Sequence, residues 1–290
     1  MTVLDSQKIQ ETDARASSLM KEGIGLLYSS NDAEAALVCF DRALELRLRL
    51  PAEVPAHAYR LAACWLNRAE ALPRLGPEYH ALTLGAYDEA LALLRRLPLT
   101  DDVRFARRFA IAQQNRALIL ASKQPPARSE AIAALLDGIA IIGQAEAMNA
   151  YERDYILAVA WMNLANIRVA GDATLPDAAT AQDEARRALA LVQPYEREDF
   201  AAAEVSIKAR HVLCHIAARR LSERSRDEPL VEDVHDATDL AEEGLDLARE
   251  WERRGVDSFR DMAFDLFHFG ARVYAHYQPQ FLCEFLGERC

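Results

Sequence analysis

The sequence predicts an all-α chain, a solenoid of antiparallel helix pairs with about 11 or 12 helices and no sheet. Three observations lead there. Alanine, leucine, glutamate and arginine dominate, and these are strong helix formers, whereas glycine and proline number only 11 each, too few for a chain built of many hairpins. A spine of small and large apolar residues recurs along the sequence. An asparagine-centred segment also recurs, at one constant interval, around Asn67, Asn115 and Asn163.

The spine is plainest in Asn31-Asp-Ala-Glu-Ala-Ala-Leu-Val-Cys-Phe-Asp-Arg-Ala-Leu-Glu-Leu46. Ala36, Phe40, Ala43, Leu44 and Leu46 fall on one helical face. The small side chains let a neighbouring helix approach, and the large ones fill the space beside it. The pattern returns where Gly85-Ala-Tyr-Asp-Glu-Ala90 leads into Leu94 and Leu97. It returns again from Ala131 into Leu135, Gly138, Ile139 and Ile141, and from Ala181 into Ala185, Ala188, Leu189 and Leu191. The last copy runs from Ala237 into Ala241, Gly244, Leu245 and Leu247. Pro51, Pro98 and Pro194 follow three of these helices as stop signals.

Upstream of the spines, Trp65-Leu-Asn67-Arg-Ala69 is matched by Gln113-Gln-Asn115-Arg-Ala117 and by Trp161-Met-Asn163-Leu-Ala165. These segments mark the first helix of three successive pairs. The resulting helix map is 6–29, 31–49, 53–72, 77–97, 102–122, 128–143, 149–170, 176–192, 198–223, 229–253, 256–277 and 279–287. Residues 1–255 read as the repeat array and 256–290 as aromatic-rich capping helices of the same domain, with no linker between them.

The Asn31–Leu46 and Gly85–Leu97 segments resemble the second helix of a tetratricopeptide repeat, and the Asn-x-Ala segments resemble its first helix, with alanine where that family often carries glycine. The resemblance spans roughly residues 15–250 and implies a right-handed superhelix that acts by protein–protein interaction. It departs in length, because the spines that start at Ala36, Ala90, Ala131, Ala181 and Ala237 are unevenly spaced and farther apart than that family's repeats. The helices are therefore longer than the family's, or insertions lie at Pro73 to Leu84 and Gly171 to Thr180.

The formal net charge of −11 argues against general affinity for nucleic acid, which needs a basic face, and mildly favours basic partners. Only four lysines occur, with arginine supplying nearly all the positive charge, a composition associated with GC-rich bacterial genes. No apolar run approaches the ~18 residues of a membrane span, and the N-terminus lacks a signal-peptide pattern. A cytoplasmic protein is expected. The five cysteines, Cys39, Cys64, Cys214, Cys283 and Cys290, are scattered, odd in number and without a Cys-x-x-Cys pair, so they read as free thiols.

Catalytic signals are weak. The chain carries no Gly-x-Gly-x-x-Gly, phosphate-loop, Gly-x-Ser-x-Gly or His-Glu-x-x-His motif, so no enzyme and no cofactor is expected. In His211-Val-Leu-Cys214-His215, two histidines share a helix face at a spacing that suits zinc. Two ligands do not make a site, however, and no metal is expected.

The asparagines carry the sharper reading. A side-chain amide both donates and accepts, so a row of them can pair with the backbone of an extended peptide whatever its side chains. By the family resemblance, Asn67, Asn115 and Asn163, with His211 at the next equal step along the chain, line a concave groove. Leu66, Glu70, Gln114, Leu118, Met162 and Asn166 stand beside them by helical geometry. The alternative is that these amides cap backbone groups inside the chain or face water. The family's carboxylate clamp, tested residue by residue, matches Lys21 and Asn67-Arg68 but fails at Gly25, Ile111 and Asn115. Arg104, Arg108 and Arg116 read as a solvated basic strip.

Aromatic residues crowd the C-terminal stretch, where Phe259, Phe264, Phe267, Phe269, Tyr274, Tyr277, Phe281 and Phe285 follow one another closely. Phe267, Phe281 and Phe285 among them are either packing under a short lid helix or an interface for a homodimer or partner. The function expected is thus a non-catalytic scaffold that binds a protein or peptide. The alternatives are a sensor of a small signal peptide or metabolite, or the recognition subunit of an enzyme complex.

Overall fold

A computed structural model describes residues 3–170, 175–223 and 231–287. Those residues form twelve α-helices joined by turns and short 3-10 segments, with no strand among them. The chain divides into two compact units, Met1–Met148 and Asn149–Cys290.

Unit 1 holds α1 (Val3–Tyr28), α2 (Ala33–Arg47), α3 (Pro55–Ala71), α4 (His80–Leu94), α5 (Val103–Ser122) and α6 (Arg128–Gln144). Local chemistry sets the starts of these helices. Asp32 caps α2 by accepting from the Ala35 amide at 2.9 Å, Pro55 sits at the first position of α3, and Asp102 caps α5 by accepting from Arg104. Each helix packs most densely on its partner, α1 on α2, α3 on α4 and α5 on α6, and the pairs join through α2 with α3 and α4 with α5. Across the stretch from Pro73 to Leu84, the candidate insertion, residues 72–74 and 77–79 form two 3-10 turns between α3 and α4, and residues 80–84 already belong to α4.

The spine residues are the core. Ala36, Phe40 and Ala43 are fully buried on α2, as are Ala90 and Leu94 on α4 and Ala131 and Leu135 on α6. Trp65 of α3 packs against two hydrophobic clusters of this unit and so joins them.

The residue after each unit 1 asparagine ties the pairs together. Arg68 on α3 donates through Nε to Asp41 on α2 at 2.8 Å, and Arg116 on α5 makes the same bond to Asp88 on α4 at 2.8 Å. Both ties are partly exposed, and such pairs are worth about 0–1 kcal/mol. Their value lies in fixing register between successive pairs.

Unit 2 holds α7 (Ala150–Val169), α8 (Leu175–Val192), α9 (Phe200–Glu223), α10 (Val231–Arg253), α11 (Arg260–Tyr277) and α12 (Leu282–Leu286). Asp199 accepts from the Ala202 amide at 2.8 Å where α9 begins, and Gly287 at φ 72° ends α12 in the left-handed conformation that glycine adopts readily. Ala181, Ala185, Ala188, Ala237 and Ala241 are fully buried. At the third repeat of the asparagine segment, Leu164 replaces the arginine and is buried. There α7 is tied to α8 by Arg168, whose Nε donates to both oxygens of the buried Glu184 at 2.9 and 3.0 Å. Burial raises the Glu184 carboxyl above its ordinary range, and the Arg168 guanidinium pulls against that shift.

The thiols need one correction. Cys39, Cys64 and Cys214 are free and buried, but Cys283 is held in a disulfide, so the expectation of five free thiols does not hold. Cys290 lies outside the described residues. No helix among the described residues is long and apolar enough to cross a membrane.

Burial also sets an alkaline limit. It pushes the Cys64 thiol from its ordinary 9.0 up to about 11, and it raises the Tyr87 phenol on α4 as well. The folded chain therefore keeps protons that the unfolded chain releases. The stability these groups contribute is complete below their ordinary values and is lost as pH rises through the folded ones, for Cys64 between 9.0 and about 11. The urea midpoint is expected to fall across that window. Cys64→Ala should make the fall shallower, and an unchanged slope would show that the thiol is not desolvated.

Candidate functional site

In unit 1 the first helices of the pairs, α1, α3 and α5, carry the candidate surface. Tyr28, at the end of α1, donates its hydroxyl to the Glu70 carboxylate on α3, which sets these helices side by side. The Arg74 guanidinium lies over the Tyr28 ring at 4.9 Å and donates to the Leu27 carbonyl, holding the end of α1 in place. Ile24, one turn before Tyr28, is 40 % exposed, and Leu118 on α5 is 44 % exposed. Leu66 is half-buried and packs against the core of this unit. Gln114, expected beside the groove, is buried instead.

The asparagines are used differently from one another. Asn67 is half-buried, and its amide donates to the Ala63 carbonyl one turn back in the same helix at 2.9 Å. Asn115 hydrogen-bonds the buried Tyr87 hydroxyl; burial and the nearby Glu70 raise that phenol, and the Asn115 bond opposes the shift. In unit 2, Asn163 on α7 is 8 % exposed, flanked by buried Met162 and Leu164. Met162 belongs to a hydrophobic cluster shared with α8 and α9, so its expected place in a groove is corrected to a place in the core. A uniform row of outward amides is therefore not what the helices present. Each asparagine meets a different neighbour.

His211 and Asn166 are brought together in unit 2. With His215 and Arg219 they border a pocket of about 350 Å³ between α7, α8 and α9. The His211 and His215 rings meet edge to face at 4.5 Å between centroids. Burial, and then the neighbouring His215, lower the basicity of His211, while Asp265 of α11, 3.7 Å from its Nε2, works the other way. Cys214, between the two histidines in sequence, turns into the core, and burial raises its thiol to about 12. Among the described residues, no three His, Cys, Asp or Glu side chains converge as a metal ion requires. The sequence singles out His215 with His211 as a zinc-spaced pair, but not Arg219, eight residues past His211.

The aromatic C-terminus divides in two. Phe285 of α12 stacks on Phe267 of α11 at 5.5 Å and lies against Tyr274 at 5.0 Å. It closes over Gly270, where a Cβ would come within 2.5 Å of the Phe285 ring. Phe285 and Phe267 thus pack as a lid would. Phe281 and Phe264 stay outside, 47 % and 62 % exposed.

A further groove in unit 1, about 540 Å³ between α4, α5 and α6, is bordered by Asp88, Arg95, Arg116, Glu130 and Asp137, most of them paired with one another. Arg116 pairs with Asp88, and Asp137 accepts from both Arg95 and Gln113.

No model of a known protein family matches the chain, and no curated protein matches it in sequence.

Proposed function

We propose that this chain is a non-catalytic, tetratricopeptide-like scaffold that holds an extended segment of another protein on the first-helix face of unit 1. The observation that supports this reading is the Tyr28–Glu70 bond, with Ile24 and Leu118 exposed on the neighbouring first helices. Exposed apolar side chains on α1 and α5, with a carboxylate on α3, suit a partner whose segment alternates apolar and basic residues. The net charge of −11 favours the same partner at longer range. In this reading the helix pairs run antiparallel in a right-handed superhelix, and the protein works in the bacterial cytoplasm.

The amides take a smaller part than a ladder would give them. Asn67 and Asn115 stiffen the face through their bonds within the chain, and contact falls chiefly to Ile24, Tyr28, Glu70 and Leu118. Combining Tyr28→Ala with Leu118→Glu is expected to weaken binding of the partner captured by the wild-type chain about thirtyfold, as loss of a hot spot worth roughly 2 kcal/mol would do. Leu48→Glu with Leu82→Glu changes side chains that are 59 % and 52 % exposed elsewhere on the same unit, and should leave binding unchanged. The reverse pattern would move the docking surface off the first helices.

A further inference from the structure

The outward face of α11 carries a self-complementary pattern, independent of the docking face of unit 1. Leu266, Phe269, Gly270, Val273 and Tyr274 bury the opposite side of this helix. The five-residue α12 covers one further edge, where Phe285 lies over Phe267 and Gly270. Left outward is a seam of Phe264, His268, Ala271 and Ala275, spaced at four, three and four along the helix. Phe264, at 62 %, is the most exposed large apolar side chain among the described residues. A single exposed phenylalanine signifies little; the charges beside it decide.

Asp261, Asp265, Arg272 and His276 follow one flank of that seam at spacings of four, seven and four, and all four are exposed. The spacing is the same from either end, with the acids in the first half and the basic side chains in the second. Asp261 and Arg272 form no ion pair among the described residues, and Asp265, 3.7 Å from His211 Nε2, is still 61 % exposed. A second copy of α11, laid antiparallel about a two-fold axis, brings equal flanks together. Asp265 then meets the partner's Arg272, and Asp261 meets the partner's His276. In the same register Phe264 falls between the partner's Ala271 and Ala275, a large side chain in the space left by two small ones. A parallel copy would send the two flanks to opposite edges.

We propose that α11 is the contact of a two-fold homodimer, in which the α11 helices of two copies of this chain pack antiparallel around Phe264. One helix seam is small for a protein interface, so its dissociation constant falls in the micromolar range.

Sedimentation equilibrium of the intact chain across micromolar concentrations tests this. The wild type is expected to pass from the monomer to twice the chain mass, and Phe264→Glu to weaken that association by about thirtyfold or more. Phe281→Glu changes an exposed aromatic that borders Tyr274, away from this seam, and should leave the dimer unchanged. Two further chains separate this register from a general apolar contact. Asp261→Lys with Asp265→Lys makes the flank wholly basic, and Arg272→Glu with His276→Glu makes it wholly acidic. Each alone is expected to associate about tenfold more weakly than the wild type, and their equimolar mixture to recover a dimer with one copy of each. The proposal is overturned if the wild type stays monomeric throughout that range, if Phe264→Glu associates as tightly as the wild type, or if the two charge variants recover no dimer on mixing.

Discussion

Replacing Arg210 with alanine is expected to destabilise unit 2 by about 3–5 kcal/mol, the range for removing one partner of a buried ion pair. Arg210 on α9 is 2 % exposed. Its guanidinium donates to the buried Glu196 at 2.9 Å, to Ser206 and, at 3.1 Å, to Glu243 on α10. The Glu196 backbone carbonyl in turn accepts from the Trp251 indole at 2.9 Å, and Trp251 packs edge-on against Phe200. Without the guanidinium, the Glu196 carboxylate stays out of water with Ser206 as its remaining side-chain donor. Gly244 belongs to the same arrangement, since a Cβ there would lie 2.7 Å from Leu266 and 3.4 Å from the Arg210 stem. Pairing Arg210→Met with Glu196→Gln removes both charges and should recover most of the loss. Urea unfolding of the wild type, Arg210→Met, Glu196→Gln and the double variant measures the coupling, and a double variant no better than Arg210→Met would show that the charges do not act as a pair.

Phe40→Ala carries the second large effect, about 3–5 kcal/mol lost from unit 1, as expected for truncating a buried aromatic ring. Phe40 is fully buried on α2 and faces Gly23 on α1. A Cβ added at Gly23 would come within 2.5 and 2.8 Å of the Phe40 ring and 3.1 Å of Cys39. Gly23→Ala gains about 1 kcal/mol in helix propensity. The ring has no room to retreat, so overpacking of about 1–3 kcal/mol outweighs or cancels that gain. With Phe40→Leu in the same chain, the contact disappears and Gly23→Ala should become stabilising. A Gly23→Ala effect of the same sign in both backgrounds would mean that α1 and α2 do not meet at this pair.

The spines could be read from the sequence because helix packing repeats locally. Ala36, Phe40 and Ala43 fall within two turns, and their burial follows from a 3.6-residue period alone. The helix count came from the same periodicity, but the starts set by Asp32 and Pro55 fall two residues past the expected 31 and 53. The candidate surface was less legible. Asn67, Asn115 and Asn163 share a register, but the use of each amide depends on its surroundings: a carbonyl of its own helix for Asn67, a phenol of another helix for Asn115, a buried setting for Asn163. Tyr28 and Glu70 lie far apart in the chain, so no window of periodicity brings them together. The arginine after each unit 1 asparagine was visible in the repeat, yet its role as a tie to Asp41 or Asp88 required the packing. At the C-terminus, the density of aromatics pointed to packing as well as exposure, and only three dimensions separate Phe285, over Gly270, from Phe281, in solvent.

The proposed docking face is tested most directly by site-specific photo-crosslinking in native lysate. A photoreactive side chain is placed in turn at Ile24 and Leu118 on the first helices of unit 1, and at Leu48 and Leu82 as exposed controls. Ile24 and Leu118 are predicted to capture one and the same protein, through a segment of alternating apolar and basic residues, with the controls capturing none of it. Capture of that protein from Leu48 or Leu82 but not from Ile24 or Leu118 would contradict the assignment of this face.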